Sequence, residues 1–382
     1  MGQNTKIVTF AEIFKPVEIC FWLAGIPFDE NSSTTLHFCC VHLFIFIVDT
    51  EECFYFFPKI ENGDVLEIAT LIPCVFTGVL TAIKFNSLYL KRRKLIILTK
   101  KLMVLYENIR NDRLKSNIVE KDVNFLKYIT KYYAISNITL LSVYVVKDVI
   151  AIIYSNIIGE EGNYPIPFAI QLPVPIDNFS VWLFAYLQCT CICINYVLAS
   201  DVLYCILTAQ ICLNFSVICD QVQNIDPEDI NGLKEITKYH QEILDLSNDL
   251  EDVFTGSNFY NYLSASTQIC VLIFLLSTAN VSQIPQYLIF FVSILLQIFL
   301  MSIFGEHLLR ESERVRHAAY LSQWYNMDEN MKTKRPQKLT AYNFTIISYG
   351  SFCKIISSSW SYFTILNSIY NPADTVLTTD TI

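Results

Sequence analysis

The chain has 382 residues, of which 53% are apolar and only 16% are charged, and its formal net charge is −9. An average soluble domain has about 25% charged residues, so a pair of soluble domains is excluded, and the acidic balance argues against a nucleic-acid partner. Apolar residues are concentrated in runs near the roughly 20 residues that cross a bilayer core. The composition therefore predicts a multi-span protein of the lipid bilayer.

The N-terminal segment, residues 1–31, is predicted to lie at the cytoplasmic membrane surface. Its short apolar patch, Ile19 to Ile26, ends at Pro27 without a clear small-residue cleavage site. We therefore expect a surface helix rather than a cleaved signal peptide. Most of the 13 cysteines lie inside apolar runs without CxxC spacing, so they predict small apolar core residues and no metal site.

Seven apolar stretches have the length of a membrane span. The first is the weakest, because Asp49, Glu51 and Glu52 crowd its end. Only a few residues around Gln283 and Pro285 separate the fifth stretch from the sixth, which predicts a tight helical hairpin. The stretches are about 32–55, 65–88, 129–155, 180–204, 260–281, 284–305 and 342–370.

The basic residues orient these spans. Of the 27 lysines and arginines, 24 lie in the N-terminal segment, in the connections after spans two, four and six, or at the margins of the spans beside those connections. Seven crossings place all four regions on one face, which the positive-inside rule assigns to the cytoplasm. We therefore predict an all-α membrane protein with seven transmembrane helices, a cytoplasmic N-terminus and an extracellular C-terminus. This orientation is opposite to that of a G-protein-coupled receptor.

A long helix is predicted to lead into the fifth span. Asp226 and Pro227 form a good helix start, and apolar residues then recur at helical spacing as far as Phe254. With at most an elbow at Gly256, this helix has about 50 residues and a length of roughly 75 Å. A helix of this length exceeds the bilayer core of about 30 Å, so it must project into the cytosol. There its apolar stripe packs on other helices or on another subunit.

The last span carries a polar stripe. On a helix, five residues lie within about 40° of one line, with Ile369 beside it: Lys354, Ser358, Ser361, Ile365 and Ser368. The stripe changes outward from polar to apolar, which is typical of a wet vestibule closed by a hydrophobic constriction. Close packing of small residues against another helix is the alternative, and Lys354 can instead point to the cytoplasmic side.

The C-terminal third resembles the signature of insect odorant receptors. Three elements carry the resemblance: Trp324-Tyr325 before a basic stretch, Phe352 with Ile355, and Ser361-Tyr362-Phe363. The Gln-Phe element of the sister gustatory family is absent, and so is the long insertion of the family's shared co-receptor. The chain is thus similar to a tuning, odour-binding subunit.

The resemblance implies a non-selective cation channel in the plasma membrane of sensory neurons, gated by a small volatile odorant. It also implies a heterotetramer with co-receptor subunits and no cofactor. In such a channel the cytoplasmic helices form an anchor, and the last helix lines a central pore with the gate in its external part. The implied divisions are the N-terminal segment 1–31, spans one to four with an outer ligand-binding bundle 32–205, a cytoplasmic helical segment 206–259, spans five and six 260–305, an anchor segment 306–341, the pore-lining span 342–370 and an extracellular tail 371–382.

The odorant site is predicted in the outer half of the bundle, among spans two, three, four and six. Small apolar ligands need an aromatic and aliphatic pocket with few polar anchors. The residues at suitable depth are Phe76, Val79, Tyr144, Val145, Phe184, Gln188, Tyr287 and Phe291. Ordinary core packing is the alternative for each of them.

Two further predictions concern the outer face. Lys147 and Asp148 are expected at the outer end of span three, drawn as 129–146, so that both side chains reach the interface; a buried, ligand-contacting lysine is the alternative. Asn178 and Asn280 are the glycosylation sequons predicted to face outward.

Other function classes stay open at this point. A secondary transporter would show inverted repeats and broken helices, and the sequence has no visible repeat. A gustatory-type channel and a purely structural membrane partner are further alternatives. The sequence contains no catalytic constellation, nucleotide-binding loop or EF-hand, so no enzyme is expected.

Overall fold

The structure, a computed structural model, describes residues 8–28, 35–62, 65–158, 175–176, 178–192, 199–226, 229–281, 283–321 and 337–370. These residues are almost entirely helical, which confirms the all-α class. The first half contains α1 (Phe10–Leu23), α2 (Thr35–Asn62), α3 (Val65–Leu90), α4 (Arg92–Asn111) and α5 (Arg113–Ile158). The second half contains α6 (Phe179–Ile192), α7 (Ala199–Asn224), α8 (Ile230–Thr278), α9 (Ile284–Leu321), an antiparallel hairpin of β1 (Thr340–Ala341) and β2 (Thr345–Ile346), and α10 (Tyr349–Ile369).

The central helix of the bundle is α7. Nearly every side chain from Ala199 to Cys219 is buried, as expected for a helix that is apolar on all sides. It packs against α9, α8, α5 and α1. Four described helices, α3, α7, α8 and α9, are long and apolar enough to cross a membrane. The count of seven spans and the orientation of the termini stay predictions.

The N-terminal segment contains a helix, α1, and its place at the membrane surface stays a prediction. One face packs into the bundle through Phe10, Phe14, Val17 and Phe21. The hydroxyl of Tyr106 on α4 donates to the carbonyl of Val8 at 2.7 Å, which fixes the start of α1. Ile19 and Trp22 stay half exposed on the other face, as is typical of a helix at a membrane surface.

Helix α8 is continuous over 49 residues, which confirms the predicted long helix. Its N-cap is Asp229, whose carboxylate accepts from the amide of Gly232, rather than the predicted Asp226. The helix is not broken at Gly256. A Cβ at this position would lie 2.7 Å from the hydroxyl oxygen of Tyr342 in the β-hairpin, so the absence of a side chain allows the hairpin to pack against α8. The tight connection from α8 to α9 is also confirmed.

Two predicted helix ends are wrong in the first half of the chain. Helix α2 continues to Asn62, so its acidic residues from Asp49 onward lie near the middle of the helix and not at its end. Helix α5 does not end at Val146 but continues to Ile158. Asp148 is buried rather than placed at an interface, and the side chain of Lys147 lies outside the described residues.

The predicted start of the last span is wrong as well. The last helix begins at Tyr349 and not at residue 342, because residues 340–346 form the β-hairpin. The hairpin turn has left-handed backbone at Tyr342 and Asn343, with φ of 49° and 57°. Asparagine adopts this conformation more readily than most residues. Because the backbone of the turn is not helical, the helix begins only after Ser348, which is its N-cap.

A buried ion pair joins α3 to α7. Lys84 Nζ lies 2.6 Å from Asp201 Oδ1, and the two side chains are 1% and 3% exposed. The other carboxylate oxygen accepts from the hydroxyl of Tyr133 on α5 at 3.0 Å and from Nε2 of Gln297 on α9 at 2.7 Å. Gln297 also lies 3.5 Å from Oδ1 of Asn261 on α8. This polar network therefore contacts five helices.

Removing one partner of this pair leaves the other charge buried. We expect Asp201→Asn to lower the free energy of unfolding by about 3–5 kcal/mol. Lys94 pairs with Asp249 at 2.9 Å at a partly exposed site, so Lys94→Met is the matched control and should cost less than about 1 kcal/mol. Thermal unfolding in detergent measures both changes. An Asp201→Asn protein as stable as the Lys94→Met protein would contradict a structural role for the buried pair.

A second prediction concerns the chain leading into α10. A Cβ at Gly305 of α9 would lie 2.5 Å from the carbonyl oxygen of Ile347, a backbone atom next to the N-cap Ser348. We expect Gly305→Ala to destabilise the protein by about 1–3 kcal/mol, as other overpacked sites do. At Gly350 the nearest atom would be 3.6 Å away, so Gly350→Ala should be neutral in the same melting experiment. Equal melting temperatures for both variants would show that the close approach of the Ile347 carbonyl does not exclude a side chain at position 305.

Candidate functional site

The residues predicted for the ligand site are distributed over four helices. Phe76 and Val79 lie on α3, Phe184 on α6, and Tyr287 and Phe291 one turn apart at the start of α9. Both α9 aromatics pack on the central core, Phe76 is half-buried, and Val79 and Phe184 are largely exposed. The remaining three side chains lie outside the described residues: Tyr144, Val145 and Gln188.

A small aromatic core fixes α6 against α5. Trp182 is 2% exposed, and its ring centroid lies 5.7 Å from that of Tyr186. Ile152 of α5 completes this second core. Phe184 lies between the two buried aromatics in sequence and is exposed. The i, i+4 spacing of Trp182 and Tyr186 places both rings on one helix face. This spacing is visible in the sequence, but the predicted ligand set includes neither residue.

Helix α10 packs against α8 and α9 by one face. The packed residues recur every three or four positions: Phe352, Ile355, Ser359, Phe363 and Leu366. Ser359 is fully buried, and its hydroxyl donates to the carbonyl of Ser266 on α8 at 3.0 Å. A serine on this face therefore allows close approach of the two helices and forms a hydrogen bond between them.

The predicted stripe lies on the side that the chain leaves uncovered. Ser361, Ile365, Ser368, Ile369 and Lys354 are exposed, and Ser358 is half-buried. The hydroxyls of the three serines donate to carbonyls of their own helix at 2.8–3.1 Å, so they need no further partner. The two isoleucines are 56% and 77% exposed. An uncovered apolar patch of this kind marks a contact with another subunit or with lipid.

The start of α10 is fastened to α8 through the β-hairpin. The amide of Thr340 donates to Oε2 of Glu251 at 2.7 Å, and its hydroxyl donates to the other carboxylate oxygen. The amide of Tyr342 donates to the hydroxyl of Thr255 at 2.8 Å. Burial raises the pKa of Glu251, and the hydrogen bonds from Thr340 oppose that rise. Glu251 is therefore the central acceptor of this junction, which the sequence alone did not indicate.

The predicted glycosylation sites occupy accessible positions. Asn178 and Asn280 are both exposed next to helix ends, and the Asn178 side chain accepts from the amide of Val181 at 2.9 Å. Asn214 also has a sequon, but it is fully buried and accepts from the hydroxyl of Tyr239. Accessibility thus separates the first two sequons from the third, while the side of the membrane on which they lie stays a prediction.

The profile of the 7tm odorant receptor family matches residues 64–360, which is most of the chain. This chain belongs to the insect odorant receptor family. The odorant receptor is 24% identical over 343 residues to putative odorant receptor 92a of Drosophila melanogaster, covering 84% of this chain and 83% of the relative. It is 22% identical over 381 residues to odorant receptor 82a of the same fly, covering 94% and 99%.

The fold of this odorant receptor is also that of a solved relative. The olfactory receptor OR5 from Machilis hrabei, determined in complex with eugenol, superposes with a TM-score of 0.77 over 94% of this chain and 98% of that chain, at 14% sequence identity. The helical architecture is therefore shared although few residues are.

Membership of the family decides between the function classes. Insect odorant receptors are odorant-gated cation channels and not enzymes, so the transporter, gustatory and structural-partner alternatives are set aside. The protein is a multi-pass membrane protein of sensory neurons. The residues that bind the odorant and line the pore stay predictions.

Proposed function

We propose that this receptor is the tuning subunit of an odorant-gated, non-selective cation channel, assembled as a heterotetramer with co-receptor subunits. The odorant binds in the outer half of the helix bundle, and α10 lines the central pore. The N-terminus is cytoplasmic, and the C-terminus is extracellular. Ligand-evoked current recorded with and without a co-receptor tests the whole proposal, because current that needs both subunits requires a mixed channel.

The uncovered face of α10 carries this proposal. The opposite face is packed and hydrogen-bonded to α8, so the orientation of the stripe within the chain is fixed. Along the uncovered face, polar residues from Lys354 to Ser361 are followed by Ile365 and Ile369. When subunits surround an axis, this order supplies a hydrated inner section and an apolar outer constriction, which can close by excluding water.

The gate prediction concerns the two exposed isoleucines. Ile365→Ser or Ile369→Ser makes the constriction polar, and we expect a severalfold increase in resting current or a change in ion selectivity. Ile355→Ser is the matched control on the packed face, where the hydroxyl should reduce surface expression without raising the current per channel. Resting current normalised to surface protein measures the difference. Unchanged leak, permeability and pore-blocker sensitivity in both gate variants would contradict pore lining.

The ligand-site prediction concerns the outer bundle. Alanine at Tyr144, Phe184 or Gln188 should raise the half-maximal odorant concentration about tenfold, since one lost contact is worth about 1–2 kcal/mol. Tyr128→Ala is the matched control, because Tyr128 is as exposed as Phe184 but lies on the cytoplasmic part of α5. Dose–response curves measure the change while maximal current is retained. Unmoved curves for all three variants would place the odorant elsewhere.

A further inference from the structure

The tip of the β-hairpin between α9 and α10 presents two aromatic rings outward. Tyr342 is 60% exposed and Phe344 is 83% exposed in the part of the chain that the structure describes. Both rings contact Phe259 of α8, with centroid distances of 5.7 and 6.3 Å. We define Tyr342 and Phe344 as the aromatic tip. Ile346 on β2 is also exposed, so the tip continues as an apolar surface, and such a surface marks a contact.

The base of the hairpin fixes the aromatic tip on α8. Thr340 and Ala341 are buried, and the amide of Tyr342 donates to the hydroxyl of Thr255 at 2.8 Å. The hydroxyl oxygen of Tyr342 lies against Gly256, where a Cβ would be 2.7 Å away. The two rings are therefore exposed because the fold presents them, and not because the segment lacks contacts of its own.

The hairpin lies at the level where the apolar parts of the helices end. Asp252 is the last charged residue of α8 before residues 253–278, which carry no charge. Its carboxylate pairs at 2.9 Å with Lys91, directly after α3. The first charged residue of α9 is Glu306, whose carboxylate accepts from the amide of Tyr349 at the start of α10 at 3.4 Å. Because charges are costly in hydrocarbon, these residues mark one surface of the membrane.

The two rings lie on the apolar side of these charges. Phe259, which both rings contact, is seven residues beyond Asp252, which is about 10 Å further along α8. Amphipathic elements at a membrane surface bury their apolar face about 5–10 Å into the boundary between headgroups and acyl chains, and tyrosine is enriched at that boundary. The aromatic tip therefore has the depth of an interfacial anchor.

Basic side chains near the tip favour lipid over another protein surface. Lys338, two residues before β1, and Arg93, in the first turn of α4, are both exposed. Anionic headgroups attract lysine and arginine that lie next to a membrane-spanning helix. Charged residues are depleted at the centre of protein–protein interfaces, so a neighbouring subunit matches this surface less well than a lipid leaflet does.

We propose that the aromatic tip is a lipid anchor, inserted at the boundary between headgroups and acyl chains of the leaflet that faces the projecting half of α8. Phe344 is four residues before Ser348, the N-cap of α10, so the chain that enters α10 is attached both to α8 and to the membrane. The anchor requires a membrane-spanning fold, but it requires neither odorant gating nor a particular direction of the termini.

The test places a fluorescent ring at the tip. The Phe344→Trp receptor is reconstituted in nanodiscs whose lipids carry a nitroxide quencher either near the headgroup or near the end of the acyl chain. The emission of the four native tryptophans is subtracted by using the unsubstituted receptor. We expect the shallow label to quench the added emission about twofold more strongly than the deep label, because the headgroup boundary lies nearer to it.

Tyr320→Trp is the matched control. Tyr320 is 68% exposed on α9, but it lies about 20 Å beyond Glu306 along the helix, so its emission should be quenched by aqueous iodide and by neither lipid. Tyr342→Trp repeats the measurement at the second ring, so a folding defect in one variant does not decide the result.

Two results would overturn the lipid anchor. Quenching of the tip by iodide and not by lipid would place the tip in water. Protection from both quenchers would place it against another subunit. The measurement uses no odorant and no current, so either result leaves the channel proposal standing, and a receptor without odorant-evoked current would leave the anchor standing.

Discussion

The buried ion pair of Lys84 and Asp201 is the constraint on which the arrangement of the bundle depends. A charge inside an apolar bundle is tolerated only when it is paired and its remaining hydrogen-bonding capacity is used. Asp201 meets this requirement with Lys84, Tyr133 and Gln297. Rotation or sliding of α3, α5, α7 or α9 would break at least one of these bonds, so the network fixes the relative positions of helices that apolar packing alone would hold less specifically.

The surroundings of α7 and of α6 differ. Helix α7 is enclosed by α8 and α9, and its apolar side chains belong to the large central core. Helix α6 is held by the small Trp182 core, and Phe184 on the same helix is exposed in the part of the chain that the structure describes. The two helices are therefore fixed by separate apolar clusters of very different size.

Much of the fold could be predicted from local patterns. The continuity of α8 follows from an apolar stripe at helical spacing, and the turn before α9 follows from its few residues. The ion pair could not be predicted, because Lys84 and Asp201 are 117 residues apart. By pattern alone, Lys84 belongs with the cytoplasmic basic residues, and Asp201 lies unremarked inside the fourth apolar stretch, 180–204. Tertiary packing decides which distant charged residues pair, and a single sequence contains no local signal for that pairing.

The difference between local patterns and tertiary contacts also explains which parts of the candidate sites could be predicted. The two faces of α10 could be separated because helical periodicity places Ser361 and Ile365 away from Phe352 and Ile355. Hydropathy falls at Asp49 and so predicts too short an α2, whereas the helix continues because its carboxylates face Gly78, which has no side chain. The hairpin before α10 has no local signal, because it is held by hydrogen bonds to Glu251 and Thr255 of another helix. Local patterns identify faces, and tertiary contacts decide where helices end.

The attachment of α10 to α8 has a mechanical consequence. The two helices are joined at the hairpin through Glu251, midway through the Ser359 hydroxyl, and at the far end where the rings of Phe274 and Tyr370 meet at 5.2 Å. An axial slip of α10 by one turn would break all three attachments together, whereas a common tilt of both helices breaks none. Helix α8 is about 74 Å long at 1.5 Å per residue, so the pair behaves as a stiff lever: a rotation of a few degrees moves its tips by several ångströms.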